Sequence, residues 1–211
     1  MPKTARNPED IEAAKERILD TALDIMCEDG FQYLSMRNLA ARLGMTAANI
    51  YNYYSNTDEL YLPIQTRGFE LLYDQFSDIC NSFNNPLDRL RGMIKAYLEF
   101  GISNADYYDI MFTRNTPKYT DYVGTKMEPV ALFEKQTALK VADITTKVIA
   151  QIVEVNHCLP LDDARYRTIQ LWTALHGIVS LYNSRVLQEV DEHTDEVIER
   201  IVEDLMLHFA Q

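Results

Sequence analysis

The segment AANIYNYYSNTDEL, residues 47–60, crowds uncharged hydrogen-bonding side chains onto one short stretch. Asn49, Tyr51, Asn52 and Tyr53 can each donate to a phosphate oxygen, and asparagine can also make a two-point contact with an adenine edge. An alanine such as Ala47, or a tyrosine edge, can touch a thymine methyl. Ser35 and Thr46 stand where helices begin, and the backbone N–H groups of a helix N-terminus favour an anion. This is the chemistry of recognising a polyanion mainly without charge. It suits a chain whose formal net charge is −12. So acidic a protein cannot coat nucleic acid nonspecifically, which needs a positive surface. It can still gather a few cations where phosphates sit, here Lys3, Arg6, Arg37 and Arg42.

Those side chains need a platform. Ile11, Ala14, Ile18, Ala22 and Ile25 recur at steps of three and four, one face of a helix over about 9–28. Gly30 after it supplies a left-handed C-terminal cap. Ser35 caps a second helix with Leu39, Ala40 and Leu43 inward, and Gly44 ends it. Thr46 caps a third, short helix that runs on to Tyr54, itself expected in the core. The spacing Ala40, Gly44, Ile50 is that of a helix-turn-helix: a small residue where helices cross, a glycine in the tight turn, an apolar anchor returning to the core. One face of residues 46–54 then points outward, able to enter a major groove. Asn56 and Glu59 have capping-box spacing before the next helix.

Further along, one long helix is expected from about Asp58 to Phe83 with Pro63 inside it, where the ring removes a backbone donor. NNPLDRL starts another, which breaks near Ser103–Asn104 before a second short helix. Residues 113–129 are irregular. Long helices follow over about 130–155, 163–189 and 194–209, and no strand or hairpin pattern occurs. The fold class is all-α with about nine helices: a helix-turn-helix domain, residues 1–57, and a second helical domain, residues 58–211.

No stretch reaches the roughly 18 apolar residues of a membrane span, and MPKTARNPED lacks the apolar core of a secretory leader, so a cytoplasmic protein with no membrane partner is expected. Three cysteines, Cys27, Cys80 and Cys158, are too few and too far apart for a disulfide framework. The histidines His157, His176, His193 and His208 form no metal-ligand pair. No nucleophile–base pair or glycine-rich phosphate loop is present, and Asp162 and Asp163 read as a helix start. The chain is expected to be no enzyme and to hold no metal or cofactor.

RILDTALDIMCEDGFQYLSMRNLAARLGMTAANIYNYYSNTDELY resembles the N-terminal domain of TetR-family transcriptional regulators, without a gap over about residues 15–61. The resemblance implies a homodimeric repressor whose second domain binds a small ligand. It implies that Ser35, Arg37, Thr46, Tyr51 and Tyr53 hold phosphates and that Ala47, Asn49 and Asn52 face base edges. Many members carry lysine at the position of Thr57, where it reaches a phosphate, and often a cation near Ala47. Both are neutral here, so weaker and less salt-sensitive operator binding is expected, by roughly one unit of salt slope per missing contact.

YLEFGISNADYYDIMF and LWTALHGIVSLY are similar to the second domain of a TetR subgroup marked by a Trp…His-Gly motif, here Trp172, His176 and Gly177. The residue at Ala105 is often proline in that subgroup. Two readings of the motif stand side by side. In one, Trp172 is core and His176 closes a buried hydrogen bond; in the other, both border a ligand cavity. Candidate cavity residues are Tyr97, Phe100, Tyr108, Met111, Phe112, Tyr119, Tyr122, Met127 and Phe133. With acids Asp106, Asp109 and Asp121 nearby and no cationic cluster, they suit a small neutral or cationic, partly aromatic ligand. Gly177, in mid-helix, costs stability unless it admits a close neighbour.

Ile198, Ile201, Leu205 and Phe209, with Leu171, Leu175, Ile178 and Tyr182, form stripes that suit helix pairing between two copies or else cover the chain's own core. A two-fold dimer would set its reading helices in successive major grooves, roughly 34 Å apart. The leading reading is a ligand-responsive regulator, a repressor that binds a palindromic double-stranded DNA operator as a homodimer. The alternative is an interaction or scaffolding protein that keeps the fold but has little specific DNA affinity.

Overall fold

A computed structural model describes residues 7–156 and 164–210. Lys3, Arg6, His157, Cys158, Asp162 and Asp163, named above, lie outside the described residues. Every regular element described is helical. In chain order they are α1 (Pro8–Glu28), α2 (Met36–Arg42), α3 (Ala47–Ile50), α4 (Asp58–Ser82), α5 (Pro86–Ser103), α6 (Ala105–Tyr108), α7 (Tyr119–Tyr122), α8 (Glu128–Asn156), α9 (Ala164–Asn183), α10 (Val186–Val190) and α11 (Thr194–Ala210). A 3-10 turn, Phe31–Tyr33, joins α1 to α2, and a π-helical turn, Asp109–Thr113, follows α6.

Two of these helices were not expected. α7 lies in the irregular 113–129 segment, where Asp121 accepts from the Lys118 N–H at 2.7 Å and fixes the first turn. α10 separates from α9 at Arg185, which takes the left-handed region at φ 61°. No glycine marks that break, so the periodicity there reads as one helix.

The chain forms two compact units: Met1–Arg67 with Asp109–Glu134, and Gly68–Tyr108 with Lys135–Gln211. The division therefore falls inside α4 and α8, away from the expected limit at residue 57. In the first unit the reason is visible in α4. Gln65, 1% exposed, donates its side-chain amide to the Ile110 carbonyl (2.8 Å) and to Thr116 Oγ1 (3.0 Å). Leu62 packs with Tyr122 and Ala131, flanked by Tyr119 and Met127. Residues 109–134 thus share a core with the start of α4.

The core of the reading head is built from Ile18, Leu19, Ala22, Ile25 and Met26 of α1, Met36, Leu39 and Ala40 of α2, and Ile50 and Tyr54 beyond the turn. Ile11, Ala14 and Leu43, placed inward by periodicity, are only half-buried. Gly44 has φ 65°, and the turn it ends is closed by two bonds, from the Met45 N–H to the Ala40 carbonyl (2.9 Å) and from the Gly44 N–H to the Ala41 carbonyl (3.2 Å). This double closure satisfies two otherwise orphaned carbonyls at the end of α2.

In the second unit α5 and α9 pack at the closest approach described. A Cβ added at Gly101 would meet Val179 Cγ1 at 2.7 Å. Asn183 donates to the Gly101 carbonyl at 2.9 Å, and Thr146 bonds Thr168 at 3.0 Å between α8 and α9. Arg91 pairs with Glu203, joining α5 to α11. Gly177 plays no such part within the protomer: nothing lies within 4 Å of a Cβ added there.

Candidate functional site

The reading head presents the expected residues in a particular order of exposure. Ser35 Oγ accepts from the Asn38 N–H at 3.1 Å, and Thr46 Oγ1 accepts from the Asn49 N–H at 3.3 Å, so both act as N-caps. Ile50 is fully buried and Tyr54 is 7% exposed. These two anchor the short helix and force its other side outward. Tyr51 is 54% exposed and Asn52 is exposed, while Ala47, Asn49 and Tyr53 are half-buried. Regular α-helix ends at Ile50, shorter than expected; i→i+3 bonds from the Asn52 and Tyr53 N–H groups continue the turn. The tightening rotates Asn52 and Tyr53 relative to a continuous α-helix.

Burial pushes the Tyr54 hydroxyl well above the usual tyrosine range, and Glu12 and Glu16 add to the shift. It therefore stays a neutral packing group. Asn56 Oδ1 accepts from the Glu59 N–H at 3.0 Å, and Glu59 accepts in return from the Ser55 N–H at 2.6 Å, one residue earlier than the capping-box pattern. Thr57 is half-buried.

The cations divide sharply. Arg42 is held by Glu28 and by Asp29 (2.9 Å), so its charge is spent on the end of α1. Serving a phosphate would require these pairs to open. Arg67 is likewise held by Glu16 and Asp20, and Lys15 by Glu12. Arg37, at the start of α2, is exposed and has no ion pair among the described residues.

The candidate ligand residues separate into two groups. In the second unit Tyr97 and Tyr108 are almost fully buried, with hydroxyls 3.0 Å apart, and Tyr108 Oη lies 2.7 Å from His176 Nδ1. With Nδ1 accepting, the bonds run Tyr97 to Tyr108 to His176. The Tyr108 and His176 rings also stack at 5.6 Å. Burial pushes Tyr108 up to about 12, opposed by the bond from Tyr97. His176 thus ends a part-buried hydrogen bond, and both it and Trp172 are half-buried. Phe100 is buried beside them in sequence on α5, and Trp172 is half-buried on α9.

In the first unit Met111 is buried and Phe112 half-buried. Tyr122 is 8% exposed, and its hydroxyl is buried without a hydrogen-bond partner. Burial raises its pKa, with Asp58, Asp121, Glu59 and Glu134 adding to the shift. Tyr119 and Met127 flank it, while Phe133 is exposed.

Most of the helix-pairing stripes are buried within the single chain, as the reading that they cover its own core has it. Leu171, Leu175, Ile178, Ile198 and Phe209 are all less than 9% exposed within one protomer, so they fill its core. Tyr182, Ile201 and Leu205 are half-buried. The opposite face of α9 carries Tyr166 (59% exposed), Ile169 (51%), Thr173, Gly177 and Leu181 (44%), at steps of three and four. Periodicity found a stripe on α9 but could not tell which of two faces looked inward. The exposed face, with small residues at its centre, gave too weak an apolar signal.

Residues 18–64 match the family model described as bacterial regulatory proteins, tetR family, and residues 90–205 match that of the Tetracyclin repressor-like C-terminal domain. The HTH-type transcriptional repressor KstR2 of Mycobacterium tuberculosis is 27% identical over 90 residues, 42% of this chain and 44% of that protein. The chain spans about half the length of the first curated relatives it matches. A protein with unknown function from Rhodococcus sp. RHA1 superposes over 100% of both chains with a TM-score of 0.73 at 16% identity. AibR, solved in complex with isovaleryl coenzyme A and operator DNA, superposes over 91% of this chain and 97% of its own with a TM-score of 0.65 at 20% identity. At such identities these two likenesses show the fold alone. The family matches reach further, through the reading head and more than half of the chain beyond it, and the chain belongs to the TetR family of transcriptional regulators.

Proposed function

We propose that the chain is a ligand-responsive repressor that binds a palindromic operator as a homodimer and releases it when a small effector binds the second domain. The observation that carries the DNA reading is the exposure of Tyr51 and Asn52 on a helix whose other side is anchored by buried Ile50 and Tyr54. Ser35, Arg37, Thr46 and Tyr53 would hold phosphates beside Tyr51, and Ala47, Asn49 and Asn52 would face bases. Thr57, half-buried just before α4, would stand beside them without a charge to offer.

The effector reading is supported by two separate polar features: the Tyr97–Tyr108–His176 bonds in the second unit and the unpartnered Tyr122 hydroxyl in the first. Buried polar groups of this kind orient ligands. The carboxylates near Tyr122 favour a neutral or cationic compound over an anion. AibR was solved with an acyl coenzyme A, and an anionic effector of that kind is the contrary case for this chain. A thermal-shift screen in which only anionic compounds stabilise the protein would sink the charge assignment. Release requires that the effector bind the two arrangements of the dimer unequally.

The dimer reading rests on the open face of α9, Tyr166, Ile169, Thr173, Gly177 and Leu181, with half-buried Ile201 and Leu205 of α11 beside the core stripe. Gly177 would let a partner helix come close.

The paired state of Arg42 and Arg67 favours a second reading, an interaction protein with little DNA affinity. Mobility shift with the DNA upstream of its own gene, across salt concentrations, separates the two. Sequence-dependent binding that Tyr51→Ala and Asn52→Ala abolish supports the regulator. A folded chain that shifts no DNA even at low salt leaves the interaction reading.

A further inference from the structure

The π-helical turn Asp109–Thr113 begins immediately after Tyr108, the middle member of the buried hydrogen-bonded chain. Turns of this kind are rare and recur at functional positions, because their wide backbone is one register step from ordinary helix. Two clasps hold this one. Gln65 of α4 grips the Ile110 carbonyl and Thr116. Arg114, next after the turn, binds the Asp109 carboxylate through Nε. Its guanidinium carbon also lies 3.8 Å from the centroid of the Phe31 ring.

Phe31 belongs to the 3-10 turn between α1 and α2, inside the reading head. It stacks on Tyr61 with centroids 5.4 Å apart and planes 25° apart. Tyr61 lies in the first turn of α4. Contacts therefore run without a gap from Asp109 through Arg114 and Phe31 to Tyr61, in the first turn of α4. A planar guanidinium can stack on a ring face and bind a carboxylate at its edge at once; an ammonium cannot.

We propose that Arg114 is a positioning residue that ties the reading head to the turn following Tyr108, so that a displacement at Tyr108 reaches Phe31 and Tyr61 by this route. The proposal rests on the reading of the chain as a ligand-responsive regulator and names the part that carries the response.

Amide hydrogen exchange on the full chain, without DNA or effector, tests it. Tyr108→Phe perturbs one end of the route, and peptides covering residues 28–34 and 57–62 report on the other. In an otherwise unchanged chain, Tyr108→Phe speeds exchange there by roughly two- to fivefold, the range a cation–π contact supports. In an Arg114→Met background the same substitution leaves those peptides at the Arg114→Met rate. An equal change in both backgrounds, or no change in either, overturns the proposal. Should Arg114→Met fail to fold, Phe31→Leu removes the ring face from the other side and is read the same way. Neither DNA nor effector enters the measurement, so failure here leaves operator binding to be judged by mobility shift alone.

Discussion

Gly101 and Val179 meet so closely that α5 and α9 have no room for a side chain between them: an added Cβ would lie 2.7 Å from Val179 Cγ1, 2.9 Å from its Cγ2 and 3.0 Å from the Tyr108 ring. Gly101→Ala should therefore destabilise the fold by about 1–3 kcal/mol, the usual cost of overpacking. Because the clash includes Tyr108, the variant should also disturb the Tyr108–His176 bond. Chemical denaturation measures the first effect, and an unchanged midpoint would contradict the close approach.

Tyr108→Phe removes the hydroxyl that joins Tyr97 to His176. The expected loss is about 1–3 kcal/mol, since a buried partner on each side gives up a bond. The pH dependence has a definite sign. Burial raises the folded pKa from 10.0 to about 12, so the folded state keeps its proton longer than the unfolded one. The contribution is complete below the unfolded value and declines as pH rises towards the folded one. Melting temperatures should fall from pH 10 upward in the parent and fall less steeply in Tyr108→Phe, with Tyr97, also raised by burial, supplying the remaining slope. Parallel curves would remove Tyr108 from the alkaline transition.

Much of this arrangement is legible in the sequence, and the unreadable parts have identifiable causes. The head could be read residue by residue because its caps and turn are local: Ser35, Gly44 and Thr46 each act within a few residues of themselves. His176 as the end of a buried bond was one of two open readings, but its partner, Tyr108, is remote in sequence and no spacing rule finds it. Gly101 and Gly177 both lie inside helical patterns, and nothing local distinguishes the one that meets Val179 from the one that faces open space. The fate of Arg42 was equally hidden, because Glu28 and Asp29 approach it only once α1 and α2 have packed.

The two arginines of α2 should behave differently on DNA. Arg37 has no ion pair among the described residues, whereas Arg42 is held by Glu28 and Asp29. Arg37→Ala should weaken operator binding and lower the slope of log K against log salt by about one unit. Arg42→Ala should leave that slope nearly unchanged and act through stability, modestly, because both pairs are partly exposed. Fluorescence anisotropy across a salt series checks both; a larger slope change for Arg42→Ala would mean that its pairs open on binding.

Glu134 is a carboxylate whose pKa burial raises, with Lys118 only partly opposing the shift. A raised folded pKa favours the protonated acid, so the stabilising contribution is complete below the usual value of 4.5 and declines as pH rises through the folded pKa. At neutral pH the charged side chain is a burden. Glu134→Gln should accordingly melt higher than the parent at pH 7, and the difference should close as pH falls to about 4. A constant difference across that range would point to packing in place of titration.

The proposed dimer would pair through the open face of α9. Leu171, Leu175 and Ile178 are buried inside the protomer, so replacing them tests folding and says little about association. Ile169 and Leu181 are 51% and 44% exposed on the opposite face, where a charge costs a lone protomer almost nothing. Ile169→Glu and Leu181→Glu should therefore leave the helical signal intact while weakening self-association roughly tenfold or more, as a carboxylate is buried without a partner. Sedimentation velocity over a concentration series measures it. Operator affinity should fall in step with the loss of dimer, because one head alone grips a single half-site. Variants that remain dimeric and bind DNA normally would move the interface to another surface.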